Sequence, residues 1–168
     1  MRNILFGLIA MSVAAPAAAA PVGATINAPV QVKVVKPLLL TSTGSLNFGT
    51  IILNNLTANR TIALSSANIR NCGGGTIELV CSGATSVPTY NVRGTNGQTA
   101  TIIKTASSLV NAANGATLTM TLSGPASITF TNSSVNGVNF TIGGSITLTP
   151  ATSDGLYSGS VNVQVDYQ

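Results

Sequence analysis

Ser160-Val161-Asn162-Val163-Gln164-Val165-Asp166-Tyr167 alternates apolar and polar residues without a break. Successive side chains of a strand point to opposite faces, so Val161, Val163, Val165 and Tyr167 predict one buried face and Asn162, Gln164 and Asp166 one solvent face. The same period of two recurs upstream. Residues 117–122 set Leu118, Met120 and Leu122 against Thr117, Thr119 and Thr121, and residues 25–34 set Ile26, Ala28, Val30, Val32 and Val34 against Asn27, Gln31 and Lys33. Each run reads as a strand with one buried face. Further strands are expected at 46–52, 60–64, 76–82, 89–93, 100–104, 127–131, 138–142 and 145–149. No window carries a convincing i, i+3, i+4, i+7 helical pattern.

Turn signals separate these runs: Asn96-Gly97, Asn114-Gly115, Asn136-Gly137, Gly143-Gly144 and Asp154-Gly155. Such pairs tolerate the positive φ that tight hairpins need. Ten or so short strands with frequent turns predict an all-β chain folded as an antiparallel β-sandwich. A membrane β-barrel shares the alternation, but aromatics are only 4% of the chain, too few for two interfacial girdles. Most runs also fall short of the roughly 9 to 11 residues of a spanning strand.

At the N-terminus, Arg2 precedes an apolar stretch at 4–15 and the small residues 17–20. This is the pattern of a secretory signal peptide, with cleavage expected after Ala19, so that 1–19 is the signal and 20–168 a single domain. The apolar stretch is shorter than the roughly 20 residues of a membrane helix, and no later stretch approaches that length. No membrane span is expected in the mature chain.

Only 6% of residues are charged, and the chain has no His and no Trp. The acids are Glu78, Asp154 and Asp166, so the surface is expected to be Ser, Thr and Asn. The formal charge of +4 becomes +3 once Arg2 is removed, and the remaining cations are scattered singly. A nucleic-acid binder gathers Lys and Arg into a patch beside stacking aromatics, so no nucleic-acid partner is expected. Without His there is no imidazole base, and the usual zinc sets reduce to two cysteines. No enzymatic activity, catalytic residue, cofactor or metal is expected.

Cys72 and Cys81 are the only cysteines, with Gly73-Gly74-Gly75 between them to let the chain fold back. In an exported chain an even count predicts a disulfide. A redox-active pair would call for C-x-x-C spacing, which is absent.

The ending Gly155-Leu156-Tyr157-Ser158-Gly159-Ser160 through Gln168 resembles the end of chaperone-usher pilins, which close on alternating apolar residues, a penultimate aromatic and a Gly fourteenth from the end. Here these are Tyr167 and Gly155. Leu46-Asn47-Phe48-Gly49-Thr50 is similar to the L-x-F-G-T that follows the first strand of such subunits and of spore-coat-U-like proteins. With Pro37-Leu38, residues 143–148 and the Gly-x-Tyr-x-Gly ending, the chain resembles the secreted bacterial family termed domain of unknown function 4402.

The resemblance implies an immunoglobulin-like, pilin-like sandwich lacking its final strand. A periplasmic chaperone and then the N-terminal extension of a neighbouring subunit fill the gap, by β-augmentation. It implies export through the periplasm to the cell surface or the extracellular space, and self-association into a filament. Gly155, Tyr157, Val161, Val163, Val165 and Tyr167 would form the strand that pairs with chaperone or subunit. Residues 24–34 have the alternation of a donor strand, with Ile26, Ala28, Val30, Val32 and Val34 on its inserting face. Pro29 cannot donate to a ladder and suits an edge. The alternative is that 24–34 is the first strand of a self-contained adhesin or surface-coat sandwich.

Overall fold

The computed structural model describes Gly23 and residues 26–73, 77–131 and 135–168. The signal peptide and cleavage site expected from the sequence, together with Ala24 and Thr25, lie outside the described residues. The chain divides into Met1–Lys33 and Val34–Gln168.

In the first unit, residues 26–33 carry no strand, and Ile26 and Val30 are 94% and 92% exposed. Ala28 and Val32 are exposed as well, as is Val34 at the start of the second unit. The buried face expected for 25–34 is therefore not formed. The alternation is present in sequence, but among the described residues 26–33 belong to no strand.

Val34–Gln168 is all-β among the described residues. In chain order its strands are β1 (Leu39–Thr43), β2 (Thr50–Leu53), β3 (Arg60–Leu64), β4 (Arg70–Cys72), β5 (Leu79–Ser82), β6 (Thr89–Arg93), β7 (Thr99–Ala106), β8 (Leu109–Asn111), β9 (Thr117–Leu118), β10 (Met120–Ser123), β11 (Ser127–Thr129), β12 (Val138–Thr141), β13 (Gly143–Leu148), β14 (Tyr157–Ser158) and β15 (Val161–Tyr167). Every pairing is antiparallel. The sheets run β1-β6-β12, β10-β13-β3-β4, β11-β7-β15, β14-β8-β9 and β2-β5.

Several longer runs change partners along their length. The run β1 to β2 pairs first with β6 and then with β5; β12 to β13 leaves β6 for β3 and β10; β14 to β15 leaves β8 for β7. Strands that pass from one sheet to another make the corners of a sandwich.

Two apolar cores result. One gathers Ile62, Leu64, Leu118, Met120, Ile146 and Leu148; the other gathers Val92, Ala100, Ile102, Phe130, Phe140 and Ile142. Ile62, Leu64, Val92, Phe130 and Ile142 are fully buried. The outward faces carry hydroxyl pairs across strands, Thr61 with Thr147 at 3.2 Å, Thr121 with Ser145 at 2.6 Å and Thr99 with Thr129 at 3.3 Å. Such pairs are the cross-strand contacts that a Ser- and Thr-rich surface provides in place of charge.

In β15, Val161, Val163, Val165 and Tyr167 turn inward and Asn162, Gln164 and Asp166 outward, as the alternation predicts. The 117–122 run breaks at Thr119 into β9 and β10, and its Leu and Met side still faces the core. Gly143-Gly144 is not a turn: both lie buried inside β13, opposite Ser123 and Leu122. A Cβ on Gly143 would strike the Leu64 carbonyl, so the pair marks close strand packing.

Candidate functional site: an apolar groove between unpaired sheet edges

Among the described residues, β2 pairs only with β5, β14 only with β8, and β15 only with β7. Each therefore keeps one edge whose backbone N–H and C=O groups have no ladder partner. Between β2 and the β14 to β15 run lies an open groove of about 1080 Å³. Its apolar lining includes Leu46, Phe48 and Ile51 on the β2 side, Leu118 and Met120 from the first core, and Val161.

The β2 wall is fastened from behind. Arg70 Nη1 donates to the carbonyls of Phe48 and Ser82, both at 2.8 Å, tying the approach to β2 to the end of β5. Gly49 lies between these contacts at φ 78°, and a Cβ there would collide with the Arg70 guanidinium. The L-x-F-G-T stretch thus needs its glycine so that Arg70 can reach the backbone. Cys72 and Cys81 form a disulfide with Cα atoms 6.1 Å apart, joining β4 to β5, the sole partner of β2.

The opposite wall turns on Asn111, the only buried polar residue among those described, at 1% exposure. Its Nδ2 donates to the Asp154 carbonyl at 2.8 Å and its Oδ1 accepts from the Ala113 N–H at 2.9 Å. Gly155, at φ 132°, lies against this amide, where a Cβ would overlap it. Tyr157 follows, half-buried, with its hydroxyl donating to the Ser153 carbonyl at 2.9 Å. Leu156, between them, is 80% exposed at the lip of the groove.

At the other end of β15 the sandwich is tied shut. The Tyr167 hydroxyl accepts from the Thr95 N–H at 2.7 Å and donates to the Lys36 carbonyl at 2.8 Å. Its ring meets Phe130 edge-on, centroids 5.9 Å apart.

Of the residues expected to form the pairing strand, Gly155, Tyr157 and Val161 line the groove. Val163, Val165 and Tyr167 pack instead on the second core. The walls at Leu46, Phe48 and Ile51 were visible in the sequence as the L-x-F-G-T neighbourhood. Asn111 and Leu156 carry no such signal in the sequence, because one sits in a short Asn- and Ala-rich run and the other breaks the strand alternation.

The electrostatics of the body are local. Glu78 accepts from Thr57 at 2.6 Å and from Arg60 at 3.0 Å. The Thr57 hydroxyl and then the Arg60 guanidinium hold its carboxyl below the usual carboxylate range. Burial raises the Tyr90 phenol. Among the described residues no three His, Cys, Asp or Glu side chains gather as a metal site.

No curated protein and no solved structure matches the chain. The family model described as Domain of unknown function (DUF4402) matches residues 38–167, a span running from just before β1 to the end of β15 and containing both walls of the groove, and the chain belongs to that family.

Proposed function

We propose that this protein is a structural, non-enzymatic, pilin-like subunit of a bacterial surface filament, exported through the periplasm and assembled by donor-strand complementation. The reading rests on one observation, the apolar groove between the unpaired edges of β2 and of β14 and β15. An extended segment laid there would meet ladder groups on both sides while alternate side chains enter the core.

The occupant we assign is residues 24–34 of a second copy. Ile26, Ala28, Val30, Val32 and Val34 supply five apolar side chains at strand spacing. Nine residues from Ile26 to Val34 extend about 30 Å. The chain enters the body beside Lys36, which Tyr167 holds at the end of β15 away from the groove. The seven residues of β15 span about 20 Å, so a segment folding back on its own body would spend most of its length before reaching the groove. A neighbour's groove takes the whole segment, and repeating that contact gives an open, head-to-tail chain. A periplasmic chaperone offering a similar strand would cover the groove before assembly.

The test is to purify the full-length chain from periplasm and measure its mass distribution. A ladder of oligomers that resists dilution, and that collapses to monomer when residues 20–34 are deleted and chaperone is supplied, supports the reading. A full-length protein that stays monomeric at all concentrations points to a self-contained adhesin or coat domain and sinks it.

A further inference from the structure

Leu156 is the large apolar residue that the body leaves most exposed beside the groove, and its position is not left to chance. The turn that carries it is fixed on its N-terminal side by Asn111, whose amide grips the Asp154 carbonyl and fits the space left by the missing side chain of Gly155. It is fixed on its C-terminal side by Tyr157, tied to Ser153 and packed on the first core. The Asn111 backbone is held as well, its N–H donating to Ala116 and its carbonyl accepting from Gly115, both at 2.8 Å. A buried amide with both ends of its side chain satisfied specifies one geometry. Here that geometry presents a solvated leucine at the lip of an apolar groove.

Resting on the strand-acceptor reading above, we propose that Leu156 is a binding residue that folds over the inserted segment of a second copy and slows its release, and that Asn111 is the positioning residue that presents it. The contact has the chemistry of an apolar clasp. An exposed leucine gains by burial against the Val and Ile side chains of the donor, and nothing in the isolated body covers it.

The experiment uses the full-length chain carrying Val30→Asp and Val32→Asp, which bars its own segment from any groove. A fluorescent peptide of residues 24–34 is the probe, and its dissociation rate the readout. Leu156→Ser is expected to raise that rate about tenfold, as losing one buried leucine implies, with the melting temperature unchanged. Leu156→Met should restore slow release. Asn111→Ala should speed release to a similar degree while lowering the melting temperature, whereas Val92→Ala, buried in the second core, should lower the melting temperature and leave release slow.

Release from Leu156→Ser at the parent rate overturns the inference while the groove reading stands. Equal acceleration by Asn111→Ala and Val92→Ala removes the positioning role. A parent chain that binds no peptide at all overturns the groove reading and this inference together.

Discussion

The Tyr167 hydroxyl donates to the Lys36 carbonyl at 2.8 Å, across 131 positions of sequence, so the penultimate residue of the chain holds the point where the body begins. The same oxygen accepts from the Thr95 N–H. Replacing Tyr167 by Phe keeps the ring on Phe130 and removes both hydrogen bonds, leaving a backbone donor without its acceptor. The expected cost is about 1–2 kcal/mol. Urea denaturation should show a lower midpoint with an unchanged slope, and an unaltered midpoint would mean that the clasp is not holding the sandwich closed.

The Cys72–Cys81 disulfide closes a short loop, and the chain-entropy relation gives it about 2.5 kcal/mol. Thiol labelling of the denatured, unreduced protein should find no free cysteine. Cys72→Ser with Cys81→Ser should lower stability by about that amount, with protection of β2 and β5 amides from hydrogen exchange falling more than that of β7. A uniform loss of protection would contradict the view that the bond braces the β2 wall through β5.

Much of this body was legible as a string of strands. In β3 and β6 the expected and observed bounds coincide, and β15 takes up the expected face, because each has a ladder partner against which its apolar side is buried; residues 26–33 share the period of two but belong to no strand. The strands that escaped lack that signal. In β1, Leu39-Leu40-Thr41-Ser42-Thr43 buries only part of Leu40, and β4, β8 and β14 have two or three residues each. The groove was legible only in halves. Its outline is a property of edges that do not pair, and a sequence records apolar faces but not missing partners. Asn111 illustrates the limit: an Asn in a turn-like run signals a turn, and only the fold reveals that its amide is buried against Gly155.

Glu78 links stability to acid. Its folded-state carboxyl is held below the ordinary range by Thr57 and Arg60, so the unfolded chain binds its proton first as pH falls. The stabilisation is present above the unfolded value of about 4.3 and is lost as pH drops through the depressed folded value. Glu78→Gln should therefore melt lower than the parent at neutral pH, and the gap should close in acid. A gap that persists unchanged at about pH 2 would show that the loss comes from packing and not from charge.

The alternation in residues 26–34 makes the sharpest demand on the assembly reading, because it assigns opposite outcomes to neighbouring positions. Val30 and Val32 are solvated in the isolated chain, so changing them costs the body nothing by way of its own core. In a neighbour's groove each would be buried, contributing roughly 1.5 to 3 kcal/mol and thus about a tenfold or larger effect on affinity. Val30→Asp with Val32→Asp should also strand two carboxylates in an apolar groove, and assembly should stop at the monomer. Asn27→Asp and Gln31→Asp lie on the other face, where a donated strand meets solvent, and should assemble as the parent does. All four substitutions should leave the melting temperature of the isolated body in place. The check is the mass distribution of full-length chains at matched concentration. Should the Gln31 and Val32 variants prove equally competent, or equally defective, the segment is not read by face, and insertion of 24–34 as a β-strand is ruled out.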